Sequence, residues 1–382
     1  MNGWNWFTGN KWKAIIAAAA VLCLIAVGLW SGGYAVLRYV WYGAVDGPIA
    51  VIRPDGSPAP AEALAWLKPA AENFFAQSGD SHLLDLWTKH GAAGVLATLH
   101  AGTRTFGSGF LREFTLENAP EIFPIRTERG CNLVDWEGNV HLRLGPNVDD
   151  AGPVSGGLVA VRRRTVDDGS GTAKAAWAYQ NLDGETVVPG PFEIAFPFQE
   201  GLAAVAVTQD DGTLRWGMID TSGAWAIAPR FWSLGGFSNG LAPAEIRADD
   251  NTLETAGFID RSGAFAVTLD GARGMLSSHR DGLALVWYGS SPGYALVDEA
   301  GAIALALDYE DVAPFSDGRA PVRVGNAYGY IDTAGALVIP AKYERPASFC
   351  RGLAVVVRYS AVRHWVLQTY LTWKEALPAG LG

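Results

Sequence analysis

A chain of 382 residues has room for two or three average domains or for one long repeat array, and 49% hydrophobic residues supply an ample core. A formal charge of −10 and a pI near 5.1 exclude the basic face that nucleic acid requires, so no nucleic-acid partner is expected. Three cysteines are too few for a disulfide framework, whereas 46 glycines and dispersed aromatics suit short strands joined by tight turns.

After a tail of residues 1–13, Ala14 to Leu37 carries no charge. Its 24 residues would span roughly 36 Å as a helix, enough for a bilayer core of ~30 Å. Lys11 and Lys13 precede it, Trp12 and Trp30 lie near its ends, and Arg38 follows. A transmembrane signal anchor over 14–37 is therefore expected, with the rest of the chain outside the cytoplasm. The alternative is a signal peptide cleaved near Ser31-Gly32-Gly33, giving a secreted protein.

Residues 38–120 read as a linker and partly helical segment. "DGSPAPAE" is a joint, and Pro60 with Glu62 opens a helix through "ALAWLKPAAENFFAQ" that Pro69 must kink or split. A second helix is expected over "SHLLDLWTKHGAAGVLATLH", capped by Asp80 or Ser81. Its histidines, His82, His90 and His100, lack the i,i+4 spacing that puts two rings on one helix face, so no metal site is expected.

Beyond residue 120 a phrase recurs, with Asp or Asn followed by Gly three positions on. Its pairs are Asp135 and Gly138, Asn181 and Gly184, Asp220 and Gly223, Asp260 and Gly263, Asp298 and Gly301, and Asp332 and Gly335. Successive copies are 46, 39, 40, 38 and 34 residues apart, which is the period of a repeat architecture. A type I turn explains the residue types: Asp or Asn accepts the turn's own amides, and Gly tolerates positive φ. Aliphatic residues on both sides make each copy a hairpin. A second phrase, "FQEGLAAV" or "FSNGLAPA", recurs with Gly157, Gly201, Gly240, Gly282, Gly318 and Gly352 and opens another short strand. Such a unit cannot bury its apolar face alone, so neighbours must stack.

At these residues the chain resembles the WG-repeat family, also called KWG repeats. Its members repeat G-L-A-x-V, then W/Y-G-Y/F-I-D-x-x-G, then an aliphatic strand ending in I-x-P-x-Y/F. Trp216-Gly217-Met218-Ile219-Asp220 and Tyr328-Gly329-Tyr330-Ile331-Asp332 match closely, whereas Ala178 and Ala295 replace the glycine. The resemblance covers roughly residues 121–358 and implies a mainly β array with a binding role rather than a reaction.

The expected fold is thus a tandem array of about six antiparallel β-hairpin or meander repeats over 121–358. It is preceded by one transmembrane helix and a short helical segment and followed by a cap at 359–382. The uneven period favours an open, solenoid-like array. The alternative is a closed, propeller-like ring, because the first copy lacks a "GLA" half before it and the last "GLA" half lacks an "IDxxG" half after it. Cys131 and Cys350 stand in those two end units, so a closed ring would permit a disulfide between them.

No catalytic constellation emerges. "GFSNG" matches a nucleophile elbow, but Ser238 occupies a repeat position leading into a strand, where the elbow needs a helix. The arginine run 162–164 reads as the solvated face of a hairpin. No catalytic residue and no cofactor is expected. The functional expectation is a membrane-anchored, non-enzymatic repeat protein of the cell envelope that presents a surface to a protein or peptide. Alternatives are an envelope glycan-binding module and a propeller-type hydrolase.

Overall fold

A computed structural model of the chain describes residues 49–358, apart from 103, 106–113, 116–118, 128–129, 146, 165–174, 249–250, 276, 281 and 290–292. The transmembrane helix expected over 14–37 and the cap expected at 359–382 lie outside the described residues. Among the described residues no helix is long and apolar enough to cross a membrane.

The protein is mainly β. Each full repeat sheet is a four-stranded antiparallel meander, as in Ile194–Ala195, Leu202–Thr208, Leu214–Asp220 and Trp225–Phe231. Two like it follow, ending at Phe265–Thr268 and Ile303–Leu307, and one precedes it, running from Val148–Ala151 to Thr186–Phe192. The array begins with three strands, Phe123–Thr127, Gly130–Val134 and Val140–Gly145. It ends in a six-stranded sheet formed by Asp311–Val312, Ala320–Val324, Ala327–Ile331, Leu337–Arg345, Ala354–Arg358 and Ile49–Ile52.

Two turns repeat through these sheets, and each follows from its residues. At Asp220 the Gly223 amide donates to the Asp220 carbonyl at 2.9 Å, and the Asp220 amide donates to the Ala224 carbonyl at 2.9 Å. Gly223 has φ +86°, the left-handed conformation that this three-residue hairpin demands. The second turn is a two-residue hairpin closed by reciprocal bonds, such as Gln199 amide to Leu202 carbonyl and Leu202 amide to Gln199 carbonyl, at 2.7 and 3.0 Å. Both central residues have positive φ, as a type I′ turn requires: Glu200 at +48° and Gly201 at +81°. Asn239, Asp317 and Arg351 hold the same left-handed position ahead of their glycines.

One turn escaped the sequence pattern. The Gly56 amide donates to the Arg53 carbonyl at 2.8 Å, and the Arg53 amide to the Ser57 carbonyl at 2.9 Å, the same bonds as at Asp220. Pro54 sets φ at the second position, and the Asp55 carboxylate accepts the Ser57 amide at 2.9 Å, the bond that the first-position aspartate makes elsewhere. Residues 49–59, read from sequence as linker, thus supply the strand and turn that the last "GLA" half lacks. Ile52 is buried with Tyr330, Ile339, Tyr343 and Phe349.

Consecutive sheets share hydrophobic clusters. Trp216, Met218 and Phe231 pack with Leu234, Phe237 and Ile259 of the next sheet, and Trp177 and Tyr179 pack with Val205 and Ile219. The turn glycines mark each junction. A Cβ on Gly223 would lie 2.9 Å from Val188 of the preceding sheet, and one on Gly263 would lie 2.9 Å from Ile227. Gly301 meets Val267, Gly335 meets Leu305, and Gly56 meets Ile339 in the same way. Gly138 is different: a Cβ there would run into the carbonyl of Ala70, in a helix.

That helix, Leu67–Ser78, follows a short one, Ala61–Leu64. The break falls before Trp66, so Pro69 sits in the first turn, where no helical amide is missed. The next helix, His82–Gly102, is broken at Gly91, whose φ of +61° is non-helical. The Asp80 carboxylate accepts the His82 amide at its start, at 2.9 Å. Asn73 Nδ2 donates to the Glu137 carbonyl at 3.0 Å, and the Val140 amide donates to Gln77 Oε1 at 2.9 Å. The helices therefore cover the first sheet on the side where every other sheet meets a neighbouring strand.

Candidate binding site at the seam

The turn carboxylates do not converge. Asp135, Asn181, Asp220, Asp260, Asp298 and Asp332 each accept, through Oδ1, the amide four residues on, at 2.8 to 3.2 Å. The Ser222 and Ser262 hydroxyls donate to Asp220 and Asp260 and hold both carboxyls below the usual range. Partial burial pulls the Asp135 carboxyl upward, but bonds from Asn139 and His141 outweigh it and the net direction is down. Among the described residues no group of three His, Cys, Asp or Glu could hold a metal ion.

Cys131 and Cys350, between which a closed ring would permit a disulfide, are not bonded to one another. Cys131 points into an apolar cluster with Leu133, Leu144 and Val159, and burial pushes its thiol up to about 11. Cys350 instead opens the last type I′ turn and lines a cavity. Ser238 is 3% exposed and opens the equivalent turn two sheets earlier, between strands.

The tryptophans serve mainly as core. Trp136, Trp177 and Trp216 are buried, Trp232 and Trp287 half-buried, and Trp225 is 44% exposed on an outer strand. An exposed tryptophan cluster suited to sugar stacking is not found among the described residues.

What the fold does create is a cavity of about 840 Å³ at the seam, where the helices, the first sheet and the last turn come together. Its apolar floor is Trp66, Leu96, Trp136 and Leu353, with His100 beside them. The Trp136 ring stands edge to face against Trp66 and His100, at centroid distances of 6.2 and 6.1 Å, and 4.7 Å from Phe123. Both indole N–H groups are engaged: Trp136 donates to the Pro120 carbonyl at 2.9 Å and Trp66 to the Ala63 carbonyl at 3.0 Å. The cavity is thus offered ring surfaces rather than indole donors. The Arg351 guanidinium lies 4.8 Å from the Trp136 ring centroid, a cation–π contact that joins the last unit to the first. Arg53, Arg351 and Glu137 are the charged residues of the lining.

Arg53, Trp66, His100, Glu137 and Arg351 come from four separate stretches of chain, and no pattern within any one of them signals a site.

The described region is therefore an array of stacked antiparallel β units with a binding-sized cavity at one junction. It carries WG repeats: the model described as "WG containing repeat" matches residues 177–207, 216–247, 294–326 and 328–358. The first three matches each take the last two strands of one sheet and the first two of the next, so the sequence unit and the sheet are offset by half, whereas the fourth lies within the last sheet. A search of curated proteins returns no match. Among solved structures, KlHsv2 with loop 6CD replaced by a Gly-Ser linker is 9% identical, covering 60% of this chain and 76% of that one, with a TM-score of 0.39. The uncharacterized protein lmo1340 from Listeria monocytogenes EGD-e is 10% identical, covering 62% and 90%, with a TM-score of 0.27. At these scores neither likeness carries an argument about this chain.

Proposed function

We propose that the β units of the described residues form a propeller-like ring of seven rather than an open solenoid, and that the ring is a non-enzymatic scaffold. Its seam cavity receives a peptide segment of a partner protein. Support for the ring comes from a contact rule that runs around it. In three of the type I′ turns the left-handed residue reaches toward the next unit: Glu200 to the Gly240 amide, Asn239 to Glu299, Asp317 to the Gly352 amide. Arg351 continues the rule from the seventh unit to Trp136 of the first.

The observation that carries the binding reading is the cavity itself. Its volume falls in the few-hundred to ~1,000 Å³ range of ligand sites, with an apolar floor and few charges. Hydrolysis would need convergent carboxylates, and Glu137 is the one carboxylate in this lining. Tethering through residues 14–37 would place the ring at the cell envelope, a reading supported by the apolar run alone.

Photo-crosslinking tests the partner site. p-Benzoylphenylalanine in place of Trp66 is expected to yield a discrete adduct in intact cells, and the same residue in place of Trp225 is not. Equal adducts from both positions, or none from Trp66, would refute the seam as the docking place.

A further inference from the structure

Resting on that reading of the seam, we infer that the bound segment is a peptide C-terminus, with an apolar last side chain and a free α-carboxylate. The apolar part of the inference follows from Trp66, Trp136 and Leu96, whose surfaces line the cavity while both indole N–H groups are already bonded. A polar side chain inserted there would lose its water and find few partners.

The anionic part follows from the uncommitted donors. Arg351 stacks its guanidinium face on Trp136 and, among the described residues, gives none of its N–H groups to an acceptor. Arg53 donates its Nε to Ser57 Oγ at 3.0 Å and leaves its two terminal nitrogens uncommitted. Asp55 sits near Arg53, but its carboxylate accepts the amide and hydroxyl of Ser57 and lies outside the lining. Two guanidinium groups against the single carboxylate of Glu137 leave the cavity net positive. Planar N–H forks match a carboxylate, and stacking holds the Arg351 plane in place before the ligand arrives.

A terminus suits this arrangement better than an internal acidic residue. In a terminal residue the carboxylate and the apolar side chain leave the same Cα, so one residue meets both the arginines and the tryptophan floor. An internal Asp or Glu presents its carboxylate on a separate side chain and needs a second residue to fill the floor.

The test uses the full-length protein, with acetyl-Ala-Ala-Phe bearing a free carboxylate and the same peptide as its C-terminal amide. Binding is read by calorimetry and by protection of Cys350 from N-ethylmaleimide, with mass spectrometry locating the label. Cys131, buried with its thiol pushed up, is the slow internal reference. The carboxylate peptide is expected to bind about tenfold tighter than the amide, as befits a charge-assisted bond. Arg351→Gln is expected to erase that difference while the protein, though it loses the contact with Trp136, still unfolds in one cooperative transition in urea.

Equal binding of acid and amide would overturn the carboxylate assignment and leave the seam as a docking place. If 3-phenylpropionate binds as tightly as the peptide, the peptide assignment falls. Protection by neither peptide would overturn the inference outright, while crosslinking from position 66 would still judge the seam independently.

Discussion

The glycine of the W-G pair shows how one atom decides a repeat. A Cβ on Gly217 would lie 2.6 Å from the Ile227 carbonyl oxygen, because the facing strand bulges toward it. Gly257 and Gly329 face the Val267 and Ile339 carbonyls in the same way. At the equivalent position Ala295 pairs with Ala306, and the register shift falls past Leu296 as it falls past Phe258 in the sheet of Gly257. Gly257→Ala is accordingly expected to cost about 1–3 kcal/mol through overpacking. Gly201→Ala meets no atom within 4 Å but keeps φ +81°, and should cost roughly 1 kcal/mol of backbone strain. Urea denaturation of the two variants checks the order.

The turn aspartates make a pH prediction at the same scale. Asp220 and Asp260 have folded pKa values held down by serine hydroxyls, so the unfolded chain binds protons first as the pH falls. Their contribution is present above the unfolded carboxyl pKa of about 4 and is lost as pH drops through the folded value. Melting temperature should therefore fall below about pH 4, and Asp220→Asn combined with Asp260→Asn should flatten that fall. Asn keeps the acceptor oxygen, as Asn181 does in its own turn.

At the scale of an element, the strand Ile49–Ile52 is the informative case. It is four residues long and, beyond its local bridge from Ile52 to Pro58, pairs with a strand from the far end of the array, closing the six-stranded sheet against Ala354–Arg358. Ile52 is 3% exposed, so Ile52→Ala is expected to lower stability by about 2–4 kcal/mol. Ile303, 51% exposed on an outer strand, should tolerate alanine within about 0.5 kcal/mol. Similar losses at the two sites in chemical denaturation would mean that the N-terminal strand is not part of the folded sheet. The helices make a related point. Gln77 and Asn73 meet backbone groups of Val140 and Glu137, so the helical segment is hydrogen-bonded to the outer strand and turn of the first sheet.

For the whole molecule, the junction at Gly138 is where ring closure can be probed. Gly138→Ala adds a Cβ at φ +79° against the Ala70 carbonyl, which must move the helix Leu67–Ser78 away from the first sheet. Faster amide hydrogen exchange is expected in residues 67–78 and also around 350–353, because both line the seam with Trp136. Faster exchange confined to 67–78 would mean that the last unit does not depend on the first and that the ring is open.

Much of this architecture was legible in the chain. The hairpins at Asp220 or Asp332 follow from local chemistry, since an acceptor side chain and a glycine define the turn wherever they occur. The unit's inability to bury its own apolar face follows from its length and implies stacking. The helix breaks were legible only in outline: Pro69 signals a disruption, but it falls at the first turn because a proline costs nothing there. Two things lay beyond local reading. The turn at Arg53 has an arginine where other copies have Asp or Asn, with Asp55 accepting the Ser57 amide instead, so its backbone bonds are the same although its letters differ. The seam gathers Arg53, Trp66, His100, Trp136 and Arg351 from stretches up to about 300 residues apart, and no periodicity links them. Sequence by itself determined what each repeat is, because turns are short-range and their residues few. Which ends meet, and what cavity their meeting leaves, only the tertiary structure decided, because those contacts join residues that share no local pattern.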